Sequence, residues 1–333
     1  MNVHITGLGF GLPARLVTNE ELAKSIDTTD EWIVSHTGIH ARHIVGPEES
    51  AATLATAAAK MALARAGVKP EELGLVVVST STPDYGAFPC TACLVQRDIG
   101  AVNAGAFDLF AACTGFIYAL ETARSLMHND PRPALVIGAD VMSRITDWKD
   151  RNTCVLFGDG AGAVVLQASE QPGGIRHSIL RADGTGSQAL YHEGGCRTPL
   201  TGPWMRAYLQ MHGRQVFNFA VKAFEEIIRD LMARDGLTLD DVRWIVPHQA
   251  NVRIIEATAR RLDTGMERFY VNIGDLANTS AATIPLALEQ MQREGKLQNG
   301  DTIILAGFGA GLTWGGTLIQ WNPPPPPTAP TGV

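Results

Sequence analysis

Apolar positions recur along this chain in two patterns. Leu75-Val76-Val77-Val78 and Ala134-Leu135-Val136-Ile137 are near-continuous apolar runs, and Thr302-Ile303-Ile304-Leu305 is similar. This is the pattern of strands covered on both faces. The segment from Ala51 to Ala66 is helical by composition, carries only Lys60 and Arg65 as charges, and is followed by Gly67 as a C′ residue. A helix so poor in charge is expected to be sandwiched between layers. From Val216 to Leu231 the chain alternates Val216, Phe219, Ala223, Ile227 and Leu231 with Lys222, Glu225 and Arg229, which predicts an amphipathic helix with one wet face. Short strands alternating with helices predict an α/β protein.

Laid side by side, the two halves show a faint duplication. Strand 75–79 is followed by strand 106–110, a helix from about 113 and strand 134–138. In the second half, strand 243–247 is followed by strand 268–273, a helix from about 279 and strand 302–306. Each half places small residues and then a helix after its second strand: Ala111-Ala112-Cys113-Thr114-Gly115 and Ala277-Asn278-Thr279-Ser280-Ala281. The spacing predicts two related halves, 1–170 and 171–322, with a site where the two helix N-termini converge. The proline run that opens 323–333 cannot build a core and predicts an extended tail.

Composition narrows the function. Of 333 residues 45% are apolar, ample for a core, while only 18% are charged and glycine is plentiful. Surface is therefore expected to be lost to interior layers or to a subunit interface, and an oligomer is expected. A net charge of −7 and a pI near 5.7 argue against a nucleic-acid binder. The N-terminal residues run into a strand-like segment without the charged and apolar regions of a secretory leader, and no apolar run reaches membrane-spanning length. Cysteines 90, 93, 113, 154 and 196 are odd in number and irregular in spacing, as expected for reduced thiols in the cytoplasm. Cys90 and Cys93 form a lone C-x-x-C and are read as small buried apolar residues. No metal site is expected.

Three residues invite a chemical reading, each beside a plainer one. Cys113 lies where a strand passes through two alanines into a helix. There the helix dipole and free N–H groups favour a thiolate and can hold an oxyanion; a small thiol filling a crowded turn is the alternative. His248 ends strand 244–247, as a loop imidazole or a core histidine. Asn278 precedes a helix, as a donor, an N-cap, or both. The strings Gly7-Leu8-Gly9-Phe10-Gly11, Gly158-Asp159-Gly160-Ala161-Gly162 and Gly307-Phe308-Gly309-Ala310-Gly311 evoke a nicotinamide-dependent oxidoreductase. None completes the dinucleotide fingerprint, because Leu12, Ala163 and Leu312 stand at the final positions, and close backbone approach explains the glycines better.

Six motifs in order then resemble β-ketoacyl-acyl-carrier-protein synthase III: Asp30-Glu31-Trp32-Ile33-Val34 with Thr37-Gly38-Ile39; Ala112 to Phe116; Phe157 to Gly162; Pro247-His248-Gln249-Ala250-Asn251; Asn278 to Ala282; and Phe308 to Gly315. They span residues 1 to about 322. The resemblance implies a thiolase-like fold of duplicated halves in five αβαβα layers, and a homodimer. It implies Cys113 as the acylated nucleophile, the N–H groups of Cys113 and Ala310 as the oxyanion hole, and His248 with Asn278 as the decarboxylation site. Acyl-CoA and malonyl-acyl carrier protein would be substrates, with no cofactor. Trp32 and Arg151 match positions flanking the CoA adenine, whereas His36 stands where the family usually has arginine. Phe88 matches the residue that closes the partner's acyl pocket, which implies short primers. Arg253, Arg260 and Arg261 share one face of a predicted helix and would suit an acidic carrier protein, while Asn218 replaces a lysine of the neighbouring helix. A condensing enzyme of secondary metabolism from the same superfamily is the second reading. Thiolases differ in using two cysteines and a histidine.

Overall fold

The computed structural model describes residues 1–193 and 208–324. In chain order the first half contains β1 (Asn2–Gly11), β2 (Leu16–Thr18), α1 (Asn19–Leu22), α2 (Asp30–Thr37), β3 (Ala41–His43), α3 (Ala51–Ala66), β4 (Leu75–Ser79) and α4 (Thr91–Ile99). It continues through β5 (Gly105–Leu109), α5 (Gly115–Leu126), β6 (Ala134–Val141), α6 (Arg151–Cys154) and β7 (Asp159–Ser169). The second contains β8 (Gly174–Ala182), β9 (Leu190–His192), β10 (Leu209–Met211), α7 (Gly213–Asp235), β11 (Trp244–Pro247), α8 (Val252–Arg261), α9 (Ile273–Leu276), α10 (Thr283–Arg293), β12 (Thr302–Gly309) and β13 (Thr313–Gln320). The chain passes from one main sheet to the other at residues 170–173. Cys196 and residues 325–333 of the proline tail lie outside the described residues.

The duplication is written into the sheets. The first has the order β1-β7-β6-β4-β5 and the second β8-β13-β12-β11. Read in those directions, both begin with two antiparallel pairings and continue with a parallel one. In the first sheet β5 then pairs parallel with β4. In the second, the segment expected as strand 268–273 makes only one parallel bridge among the described residues, between Phe269 and Ile245. A side chain explains the difference. Pro247 has no N–H to give the Tyr270 carbonyl in the register of that bridge, so Gln249 stands in for the strand: it donates from Nε2 to the Tyr270 carbonyl at 3.0 Å and accepts the Asn272 N–H at 3.3 Å.

Strand alternation assigns five layers. Val76, Val78, Leu135 and Ile137 face α3 and α4, whereas Val77 and Val136 face a central layer holding Phe116 and Leu120 of α5 with Ile284 and Leu288 of α10. On the far side Ile303 and Leu305 enter that central layer, while Ile304 and Ala306 face Phe224 and Ile227 of α7 and Ile255 of α8. Helix α10 of the second half packs on β1 and β7 of the first, so the halves share one core.

The charge-poor helix α3 forms an outer layer rather than an inner one. It presents Thr53, Ala57, Lys60 and Ala64 to the exterior, so alanine and threonine occupy positions where charges are usual. Its other face rests on β1 at backbone distance. A Cβ on Gly7 would lie 2.2 Å from the Ala62 carbonyl oxygen and one on Gly9 2.1 Å from that of Ala58. Packing, not phosphate binding, accounts for this glycine string.

Candidate active site

The nucleophile candidate is delivered by a strained turn. After β5 the chain exposes Phe110, takes Ala112 through φ 47°, and sets Cys113 in a single 3₁₀ turn, Ala112–Thr114, that runs into α5. The left-handed alanine is a backbone state normally left to glycine, and such strain persists only when its surroundings over-determine it. Here Thr114 Oγ1 donates to the Thr313 carbonyl at 3.2 Å, and Thr313 Oγ1 donates to the Ala310 carbonyl at 2.9 Å. Gly309 crosses so close that a Cβ there would lie 2.9 Å from the Cys113 nitrogen. The turn and the 309–313 segment, which bears Ala310, are thereby stitched together.

Cys113 is 8% exposed. Burial pushes its thiol up to about 12, with Asp140 adding in the same direction, while Ser280 and the Cys113 backbone N–H pull it down. The expected resting thiolate is therefore corrected: desolvation outweighs the helix terminus, and the sulfur rests as a thiol. Asp140, which the sequence reading missed, is fully buried and accepts from the Ser81 N–H at 2.6 Å and the Ala281 N–H at 3.1 Å. It clamps the turn after β4 to the 280–282 turn.

His248 follows β11, its N–H donating to the Ala306 carbonyl at 2.7 Å. The ring is 1% exposed, stands edge-to-face with Phe308 at 5.3 Å, and is held neutral because burial lowers its pKa to about 3. Its Nδ1 meets Thr283 Oγ1 at 2.7 Å, while Nε2 has no partner among the described residues. The neighbouring residues serve the same placement. Gln249 is the strut described above, and Asn251 caps α8 while donating from Nδ2 to the His36 carbonyl at 3.0 Å.

Asn278 is anchored by its N–H to the Leu156 carbonyl at 2.9 Å and by its own carbonyl, which accepts the Gly158 N–H at 3.1 Å. Its side-chain Oδ1 accepts the Ser280 N–H at 2.9 Å, which settles the amide orientation and leaves Nδ2 as the donor. The N-cap reading is corrected: Thr279 precedes the 3₁₀ turn and Ala282 precedes α10, and Asn278 Oδ1 instead closes a local turn onto the Ser280 N–H. The helix it precedes starts later than expected, at Thr283, after a 3₁₀ turn over Ser280–Ala282.

Cys113, His248, Asn278 and Ala310 line one cavity of about 1160 Å³ that also reaches Trp32 and His36. Another part of its wall is apolar, with Met142, Ile145, Leu190 and Leu209.

The other candidates are placed as follows. Arg151 lies with its guanidinium carbon 4.0 Å over the Trp32 ring, and His36 stacks on Trp32 at 4.3 Å while its Nδ1 meets the Trp32 carbonyl at 2.7 Å. A base held between two faces needs them roughly 7 Å apart, two van der Waals contacts. Arg151 thus covers the ring face a base would take. Phe88 does not line the chain's own cavity and is 84% exposed. Arg253, Arg260 and Arg261 are all exposed on α8, but Arg253 Nε donates to the Ser35 carbonyl at 3.0 Å and Arg261 pairs with Glu225 at 2.9 Å. Asn218 lies on α7 among Asp150, Asn152 and Arg214. Cys90 and Cys93, expected to be buried, are half-buried and exposed, with sulfurs 3.2 Å apart: the first turn of α4 sits at the sheet edge beside β5, where none of the described residues covers it fully. Among the described residues no group of three or more His, Cys, Asp or Glu stands where it could hold a metal, and no helix is long and apolar enough to cross a membrane.

Family models for 3-oxoacyl-[acyl-carrier-protein] synthase III match residues 107–184, and for its C-terminal part residues 232–321. A curated β-ketoacyl-[acyl-carrier-protein] synthase III of Caldanaerobacter subterraneus subsp. tengcongensis is 46% identical over 96% of this chain and 97% of its own length. The chain belongs to the 3-oxoacyl-[acyl-carrier-protein] synthase III family. Among solved structures, the synthase III of Aquifex aeolicus VF5 superposes with a TM-score of 0.89 at 44% identity, covering 96% of this chain and 100% of that one. The priming β-ketosynthase of the R1128 polyketide pathway gives 0.91 at 38% identity, covering 97% of each. The fold is accordingly thiolase-like, and the chain is a condensing acyltransferase of the synthase III type.

Proposed function

We propose that this synthase joins an acyl group from acyl-CoA to malonyl-acyl carrier protein, with Cys113 as nucleophile and His248 and Asn278 as the decarboxylation donors. One observation supports this assignment above the others: a strained turn, a strand end and a turn closed by Asn278 itself, from distant parts of the chain, bring these three side chains to one cavity. In the first half-reaction the Cys113 sulfur attacks the thioester carbonyl. The N–H groups of Cys113 and Ala310 hold the oxyanion, and the thiol proton leaves on the CoA sulfur, so acyl-enzyme and free CoA form. In the second, malonyl thioester takes the vacated space and its carbonyl oxygen accepts from His248 and Asn278 Nδ2. Loss of CO₂ builds an enolate on that oxygen, where the donors are already aimed; its carbon attacks the acyl-cysteine carbonyl, and the C–S bond breaks to give the β-ketoacyl thioester and a Cys113 thiolate that takes up a proton from water. A neutral histidine suits this step, since it needs a donor rather than a base.

Trp32 and Arg151 would flank the CoA adenine after Arg151 swings off the ring, while Arg253 and Arg260 would meet the carrier protein. A homodimer fits the chain's exposed apolar edge. β5 is the unpaired edge of its sheet, and Phe88, Phe110 and Tyr85 stand exposed near it. A cytoplasmic location follows from the CoA and carrier-protein substrates. The likeness to the R1128 priming enzyme supports a second reading, chain initiation in a polyketide pathway, which would use the same chemistry and differ in carrier protein.

Intact-mass analysis after incubation with acetyl-, butyryl- and hexanoyl-CoA tests the reading. One acyl mass should appear on Cys113 and none on Cys113→Ser, whose hydroxyl has no strong base beside it. An adduct that persists in Cys113→Ser would place the nucleophile elsewhere.

A further inference from the structure

Two thiols that the condensation chemistry does not use stand together at the start of α4. Cys90 is half-buried and Cys93 exposed. Their sulfurs lie 3.2 Å apart, and each is 4.0 Å from the Ala106 carbonyl oxygen on the edge strand β5. Neither residue lines the cavity that holds Cys113.

The turn leaves the two sulfurs free to react with each other. Cys90 is the residue just before the first turn of α4, yet its side chain makes no cap hydrogen bond. Asp108 of β5 takes that place, accepting the Thr91 and Ala92 N–H groups at 2.7 Å each. The Cys93 N–H donates to the Cys90 carbonyl at 3.1 Å, which fixes the spacing of the pair. Bringing the sulfurs from 3.2 Å to the roughly 2.05 Å of a disulfide therefore shortens one contact and removes no cap.

Burial sets the pair apart from the nucleophile candidate. Cys113 is 8% exposed and Cys154 is fully buried, whereas Cys93 meets solvent. The Cys93 thiol is raised above its usual range, first by its hydrogen bond with Cys90, then by burial and by the charges of Cys90 and Asp108. Its attack on an oxidant is slowed on that account. The disulfide once closed is neutral, however, and reopening it would release a sulfur anion beside Asp108. A metal suits the pair less well, since among the described residues no group of three or more His, Cys, Asp or Glu is placed to hold one.

We propose that Cys90 and Cys93 are a two-electron redox site: a low-molecular-weight disulfide oxidises them to an intramolecular disulfide and leaves Cys113 a thiol. The Cys93 sulfur, giving its proton to water, attacks one sulfur of oxidised glutathione and expels the first glutathione as thiolate. The Cys90 sulfur, losing its proton likewise, attacks the Cys93 sulfur of the mixed disulfide and expels the second. One sulfur–sulfur bond forms in the protein as one breaks in the oxidant, and the two released thiolates take up the two protons. The oxidant is thus consumed away from the nucleophile.

The test uses the full-length reduced enzyme in the oligomeric state it adopts in solution. It is incubated with oxidised glutathione at neutral pH, then unfolded, alkylated with iodoacetamide and mapped by peptide mass. The expected product is a peptide in which Cys90 and Cys93 are unalkylated and together lighter by two hydrogens, with Cys113 and Cys154 alkylated. Acetyl transfer from acetyl-CoA to Cys113 should stay within about twofold of the reduced enzyme, since the thiol it needs is untouched. Cys90→Ser, which lacks the second thiol, should instead keep one glutathione on Cys93. A lasting glutathione adduct on Cys93 of the wild type, a bond from either sulfur to another cysteine, or no oxidation until the assembled enzyme is unfolded would overturn the proposal. Oxidation of Cys113 as fast as the pair would overturn it too. If the reduced enzyme accepts no acyl group, the functional reading fails while the peptide map still decides the redox site.

Discussion

His248 and Asn278 act, on this reading, only after the acyl-cysteine exists. Removing either side chain should spare the first half-reaction and strike the second. His248→Ala and Asn278→Ala are each expected to lower CO₂ release from malonyl-acyl carrier protein by about 10²–10³-fold, the usual effect of deleting an aimed oxyanion donor. Radiometric CO₂ release alongside intact-mass acylation separates the steps, and undiminished decarboxylation in either variant would contradict the assignment. The buried Cys113 thiol is consistent with this division. A sulfur pushed up to about 12 by desolvation stays protonated across ordinary working pH, so its proton must travel to the departing CoA.

At the scale of elements, the site depends on how closely two turns approach the central strands. Gly138, in the middle of β6, lets the 280–282 turn lie against it: a Cβ there would sit 2.2 Å from the Ala281 carbonyl oxygen. Backbone cannot yield as a flexible side chain can, so Gly138→Ala should push the turn away. We expect a loss of about 1–3 kcal/mol in stability, the range for overpacked cores. The shift should also loosen the Ser280 N–H from Asn278 and lower decarboxylation more than acylation. Thermal denaturation and the two half-reaction assays measure these effects; a variant with wild-type melting and turnover would show that the turn has slack. Much of this level was legible beforehand. Apolar runs located β4, β6 and β12, and the paired small-residue turns pointed to where the site would form. The segment 268–273 misled because its apolar residues do face the core, while the side chain of Gln249, not a neighbouring strand, satisfies part of its backbone.

For the whole molecule, the telling feature is an apolar edge that one chain leaves uncovered. Phe88 is 84% exposed beside the exposed Tyr85 and Phe110, and it stands apart from the chain's own cavity. If a second copy receives it in the acyl end of its cavity, it sets primer length. Phe88→Ala should then raise turnover of hexanoyl- and octanoyl-CoA relative to acetyl-CoA by about tenfold per carbon pair, because each accommodated methylene adds roughly 0.8 kcal/mol. Sedimentation should show a dimer in both proteins. An unchanged chain-length profile from an intact dimer would end the gate assignment, and a monomeric wild type would remove its premise.

The sequence by itself determined the local pieces: which segments are strands buried on both faces, where glycines and alanines permit close layers, and which cysteine, histidine and asparagine stand at element ends. Those properties depend on residue type and spacing, which are local. Only the tertiary structure decided that α3 lies outside, that the Cys113 thiol is pushed up rather than down, that Arg151 rests on Trp32, and that Thr283 meets His248. Each of these depends on what residues far apart in the chain place around a group. Desolvation and the direction of a hydrogen bond are properties of the assembled surroundings and have no signature in the residue alone.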